Sequence, residues 1–76
     1  VSRLSGIRSL DVMRLVESLG WEHVGTRGSH RVYQKAGHPR NLSIPDHHEL
    51  RPGVLRSVIA TLGLSVDEFL DLLGHE

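Results

Sequence analysis

Apolar residues recur every three or four positions from Leu10 to Leu19. Leu10, Met13, Val16 and Leu19 mark one stripe, and Val12 and Leu15 widen it. Arg14, Glu17 and Ser18 fall on the other side. The spacing predicts a helix ending at Gly20, where a left-handed residue closes the last turn without a Cβ penalty. Ser9 fits the N-cap, because its hydroxyl can accept from an unpaired amide of the first turn. Residues 1–8 carry no period and are expected to form a loosely ordered arm.

From Trp21 the period changes. Residues 21–26 are short, aromatic and β-branched, and read as a strand. Arg27-Gly28-Ser29 reads as a turn, and Arg31 to Lys35 as the second strand of a hairpin. A turn holding Gly37 and Pro39 leads to a third strand, Asn41 to Ile44, which Pro45 ends because proline cannot donate to the ladder. In the second strand, alternation puts His30, Val32 and Gln34 on one face and Arg31, Tyr33 and Lys35 on the other. Each face has one apolar member, so the pattern does not choose the buried one.

Helical periodicity returns after the polar loop at residues 46–50. Pro52 suits a first helical position, Val54, Leu55, Val58, Ile59 and Leu62 form the stripe, and Gly63 ends it. Ser65 and Glu68 are spaced as a capping box, and Phe69, Leu70, Leu72 and Leu73 follow in a short last helix. The expected fold is α+β in the order α-β-β-β-α. It has a three-stranded antiparallel sheet with helices on one face and a short C-terminal helix. A chain of 76 residues leaves room for one small domain, and the whole of residues 1–76 is read as one.

Composition narrows the chemistry. Cys is absent, so neither a disulfide nor a thiolate zinc site exists. With no long apolar run, the expectation is a cytoplasmic protein without membrane attachment. The net charge is zero, but it is divided: residues 1–40 hold seven basic and three acidic residues, residues 41–76 two basic and six acidic. A polarised chain can offer a basic face to a polyanion. Six histidines stand ready for proton transfer near neutrality.

The Gly28-Ser29-His30 turn concentrates the candidate chemistry. Gly28 allows a positive φ and close approach of a ligand, Ser29 offers a hydroxyl and an amide, and Arg27 and Arg31 flank His30, with Lys35 further along. An imidazole can accept a proton from an attacking hydroxyl, while cations and amides stabilise charge building on phosphorus. Taken alone, the tripeptide reads as an ordinary hairpin turn, since such turn residues are usually structural. Asp46, His47 and His48, with His38, lack metal-ligand spacing, so no metal and no cofactor are expected. Trp21 and Tyr33 are read as core or part-core residues rather than base-stacking platforms.

Several segments stand together in a specific order. They are Leu19-Gly20-Trp21; Arg27 to His30 followed by Val32 and Tyr33; Ile44 to His47 with Glu49-Leu50; Gly53 to Ile59; Leu62 to Ser65; and Glu68-Phe69. In this set, spanning about residues 9–70, the chain resembles the HicA (YcfA-like) mRNA interferase toxins of type II toxin–antitoxin systems. It departs at Arg31, where some members carry a second His, and at Val54, where a Thr is often found. The resemblance implies a fold similar to the double-stranded-RNA-binding domain and metal-independent endoribonuclease cleavage of mRNA. It also implies a catalytic His30, a matching Gly28, and a HicB-type antitoxin that covers the site. The alternative is a non-catalytic RNA-binding module on the same fold, which would read A-form shape and 2′-hydroxyls.

Overall fold

The computed structural model describes residues 3–74. Its elements are α1 (Ser9–Ser18), β1 (Glu22–Arg27), β2 (His30–Gln34), β3 (Leu42–Pro45), α2 (Pro52–Leu62) and α3 (Val66–Leu73). The strands form one antiparallel meander in the order β1-β2-β3. This is the α+β arrangement expected from the sequence, with α3 as the short extra helix.

Burial settles which face the helices cover. Tyr33 pairs with Leu42 and Arg31 with Ile44, and Tyr33, Leu42 and Ile44 are buried. That face meets Val12 and Val16 of α1, Leu55 and Val58 of α2, and Phe69 of α3 in one core cluster. The other face carries His30, Val32 and Gln34. The helices gather on the β3 side of the sheet, so β1 is exposed along its whole length. A bulge at Val24 interrupts its register with β2 and leaves that valine half-exposed.

The start of the chain differs from the expectation of a loose arm. Valine 1 and Ser2 lie outside the described residues, but Leu4 is 3 % exposed and Ile7 0 %. The reason is a partner the local sequence does not reveal. Arg8 bridges antiparallel to Glu49, Leu50 N–H donates to Ile7 O at 2.9 Å, and Ser9 N–H donates to His48 O at 3.4 Å. Residues 7–9 are thereby fixed by the loop that precedes α2.

The same contact changes the role of Ser9. Ser9 is the first residue of α1 and Arg8 is its N-cap, without a side-chain cap. The Ser9 hydroxyl is buried and donates to Pro45 O at 2.8 Å, across to the end of β3. A buried carbonyl is thus satisfied by the helix that packs against it. Leu10, expected in the apolar stripe, is 53 % exposed. Pro45 is kept as the last residue of β3, opposite His30, because an edge strand tolerates a missing donor.

The ends of α2 and the start of α3 follow their sequence signals. Pro52 opens α2, and Gly63 closes it in the left-handed conformation. Ser65 and Glu68 form the full capping box of α3, with Glu68 N–H donating to Ser65 Oγ at 3.1 Å and Ser65 N–H to Glu68 Oε1 at 2.9 Å. The Ser65 amide, and then its hydroxyl, hold the Glu68 carboxyl below the usual glutamate range.

Candidate active site at the Gly28-Ser29 turn

The first hairpin has a two-residue loop, since Arg27 pairs directly with His30. Gly28 has φ +57°, and among the described residues no non-glycine residue has a positive φ. A positive φ at the first central position alone is the II′ pattern, whose twist suits a tight hairpin. A side chain at Gly28 would meet open space, so the backbone conformation is what selects glycine there. The tip is not free to swing: Asp46 N–H donates to Ser29 O at 2.6 Å. The loop after β3 therefore holds the turn in place.

His30 is exposed at the first position of β2, on a strand and beside an anchored turn. Its imidazole has no hydrogen-bond or ion-pair partner among the described residues. Residues directly opposite in an antiparallel pair share a face, so Arg27 stands beside it. Arg31 points to the other face, where its guanidinium reaches Asp46 at 3.4 Å. Both side chains are well exposed, so this pair sets geometry more than it adds stability. Lys35 stands elsewhere. It follows the end of β2, five residues or roughly 17 Å from His30 at strand spacing. Its Cε lies 3.6 Å from where a Cβ on Gly20 would sit. Of the candidates, the fold brings Gly28, Ser29, Arg27 and His30 together, keeps Arg31 adjacent on the opposite face, and leaves Lys35 apart.

The other histidines have different settings. His38 tilts against Trp21 with ring centroids 4.8 Å apart. Its Nε2 lies 3.1 Å from Thr61 O, and its Nδ1 lies 3.2 Å from Arg40 N. Arg40 O also lies 3.1 Å from Nδ1; with hydrogen on Nε2 the ring donates to Thr61 O and accepts from the Arg40 amide. His38 thus fastens the β2–β3 loop to the end of α2. His23 packs beside Tyr33 at 5.4 Å and contacts Thr26 Oγ1 at 3.2 Å. Among the described residues, no three His, Cys, Asp or Glu side chains gather as a metal cluster.

Tyr33 lies beneath the site. Its hydroxyl is buried without a hydrogen-bond partner among the described residues. Burial, and next the Glu17 carboxylate, push its pKa above the ordinary tyrosine value, while the Arg31 charge pulls it back. The ring is core, as expected, and is not a stacking platform.

Sequence reasoning missed three contributors. Asp46 acts through its backbone amide, which leaves no trace in side-chain patterns. Ser43 on β3 and Ser57 on α2 line an open groove next to His30. Ser57 was simply a polar position off the α2 stripe, and only the packing of α2 along β3 brings it to the site.

These features define a small α+β domain with an exposed imidazole, a cation and an open glycine turn on one surface. A sequence model of the family described as the HicA toxin of bacterial toxin–antitoxin systems matches residues 10–64. That span is most of the chain and holds the turn and the groove, so the chain belongs to the HicA toxin family. Membership makes it a toxin-family protein of toxin–antitoxin systems, with an antitoxin as partner. No curated protein sequence matches the chain. Among the described residues, no helix is long and apolar enough to cross a membrane.

Proposed function

We propose that the chain is an endoribonuclease toxin that cuts mRNA in the cytoplasm without a metal, using His30 as its proton carrier. His30 takes the proton from a ribose 2′-hydroxyl, the 2′-oxygen attacks the adjacent phosphorus, and the bond to the 5′-oxygen breaks. The departing oxygen collects its proton from the imidazolium or from water. Arg27, with the amides of Gly28 and Ser29, faces the charge that builds on the phosphate. Arg31 supports the turn from behind through Asp46. A HicB-type antitoxin covering this surface would hold the toxin silent.

The observation that carries the reading is the unpartnered, exposed imidazole of His30 beside Arg27 on an anchored glycine turn. A module that only binds RNA has no use for a free imidazole at that point. The test is incubation of labelled mixed-sequence RNA with the purified chain in EDTA. Cleavage is expected, and the same RNA with every 2′-hydroxyl methylated stays intact. Cleavage that stops with EDTA, or that ignores the methylation, would overturn the reading.

A further inference from the structure

Beside His30 the surface opens into a groove of about 350 Å³ between β3 and α2. Its polar lining is His30, Asn41, Ser43, Ser57 and Thr61, and the rest of its wall is apolar. Two properties say what it accepts. Apart from His30 no titratable side chain among the described residues lines it, so it offers nothing to a second phosphate. Of its polar groups, the hydroxyls of Ser43 and Ser57 are exposed and have no hydrogen-bond partner among the described residues. A small, largely apolar cleft with a few free polar groups suits a flat, neutral ring with a polar edge. Unstacked bases of single-stranded RNA are held in this manner, by apolar walls and hydrogen bonds to their edges.

We propose that the β3–α2 groove is a nucleobase subsite that takes one unstacked base of single-stranded RNA while a neighbouring phosphate lies at the His30 turn. The inference rests on the nuclease reading and gives it a substrate class: RNA with at least one splayed base at the cleavage point. Ser43 and Ser57 each donate and accept, so they add hydrogen bonds to a base edge without demanding one base. Arg27 and the turn hold the backbone, and the groove decides which stretch of RNA can settle there.

The test is an amide-resonance titration of the full chain with a mixed-sequence tetranucleotide carrying 2′-O-methyl groups, which lacks the attacking hydroxyl and so binds without being cut. Shifts are expected at Ser43, Val54 and Ser57 as well as at the Arg27–His30 turn. Ser57→Trp fills the groove from an exposed helix position and is expected to weaken binding at least tenfold. Ala60→Trp, exposed on the same helix and outside the groove, keeps the parent's affinity. Shifts confined to the turn, with equal affinity for Ser57→Trp and parent, would overturn the proposal and leave the groove to a protein side chain. No binding at all would overturn it too. The two readings fail separately. Groove shifts without any RNA cleavage retain the subsite and remove the nuclease, whereas His30-dependent cleavage unaffected by Ser57→Trp does the reverse.

Discussion

Replacing His30 by alanine slows RNA cleavage by about 10²–10⁴-fold, the usual contribution of one general acid or base. That corresponds to roughly 3–5 kcal/mol of lost transition-state stabilisation. The fold is expected to survive unchanged. His30 is exposed and makes no hydrogen bond or ion pair within the described residues, and surface changes of that kind move stability by about 0.5 kcal/mol or less. Single-turnover rates with urea melts on the same preparations separate the two effects. Lys35→Ala serves as the contrast. Its charge lies beyond the far end of β2, so its cleavage rate stays near the parent's. Equal rates for His30→Ala and the parent would remove the imidazole from the mechanism.

The largest effect on stability is expected from Phe69→Ala. Phe69 is wholly buried where α3 meets the shared core. Truncating a buried aromatic costs about 3–5 kcal/mol through lost transfer energy and the cavity left behind. At about 0.05–0.15 kcal/mol per residue, a domain of this size has roughly 4–11 kcal/mol in total. The variant is therefore expected to lose from about a quarter to the whole of that stability. Leu72→Ala on the same helix, at a site 50 % exposed, shifts stability by only about 0.5 kcal/mol. Urea unfolding followed by the single buried Trp21 reads both. A Phe69→Ala midpoint close to the parent's would mean that α3 does not complete the core.

The elements were legible because their signals are local. The stripes at Met13 and Val16 and at Leu55 and Val58, the glycine stops at Gly20 and Gly63, and the Ser65–Glu68 box each act within a few residues. What stayed hidden depends on distant packing. Ser9 looks like a cap until the end of β3 is placed beside it and Pro45 O takes its hydroxyl. Ile7 is a lone apolar residue without period, and only its bridge to the Glu49 loop buries it. Neither face of β2 was favoured by alternation, and the choice came from Leu42 and Ile44 pairing with Tyr33 and Arg31.

The candidate site divides the same way. Gly28 and His30 were visible because a tight turn and an imidazole leave residue-type signatures. Arg27 and Arg31 looked equivalent in sequence, yet strand parity sends them to opposite faces. Lys35 carries the charge that a phosphate site calls for, but the length of β2 takes it away from His30. The groove was invisible because Ser43 and Ser57 meet only when α2 lies along β3.

The most direct measurement of the central claim is the chemistry of the new 3′ ends, read by mass spectrometry on fragments cut in EDTA. Attack by the 2′-hydroxyl with His30 as proton carrier predicts fragments ending in a 2′,3′-cyclic phosphate or its hydrolysis product. Fragments ending in a free 3′-hydroxyl would contradict it, because the phosphate would then have been attacked by something other than the neighbouring ribose.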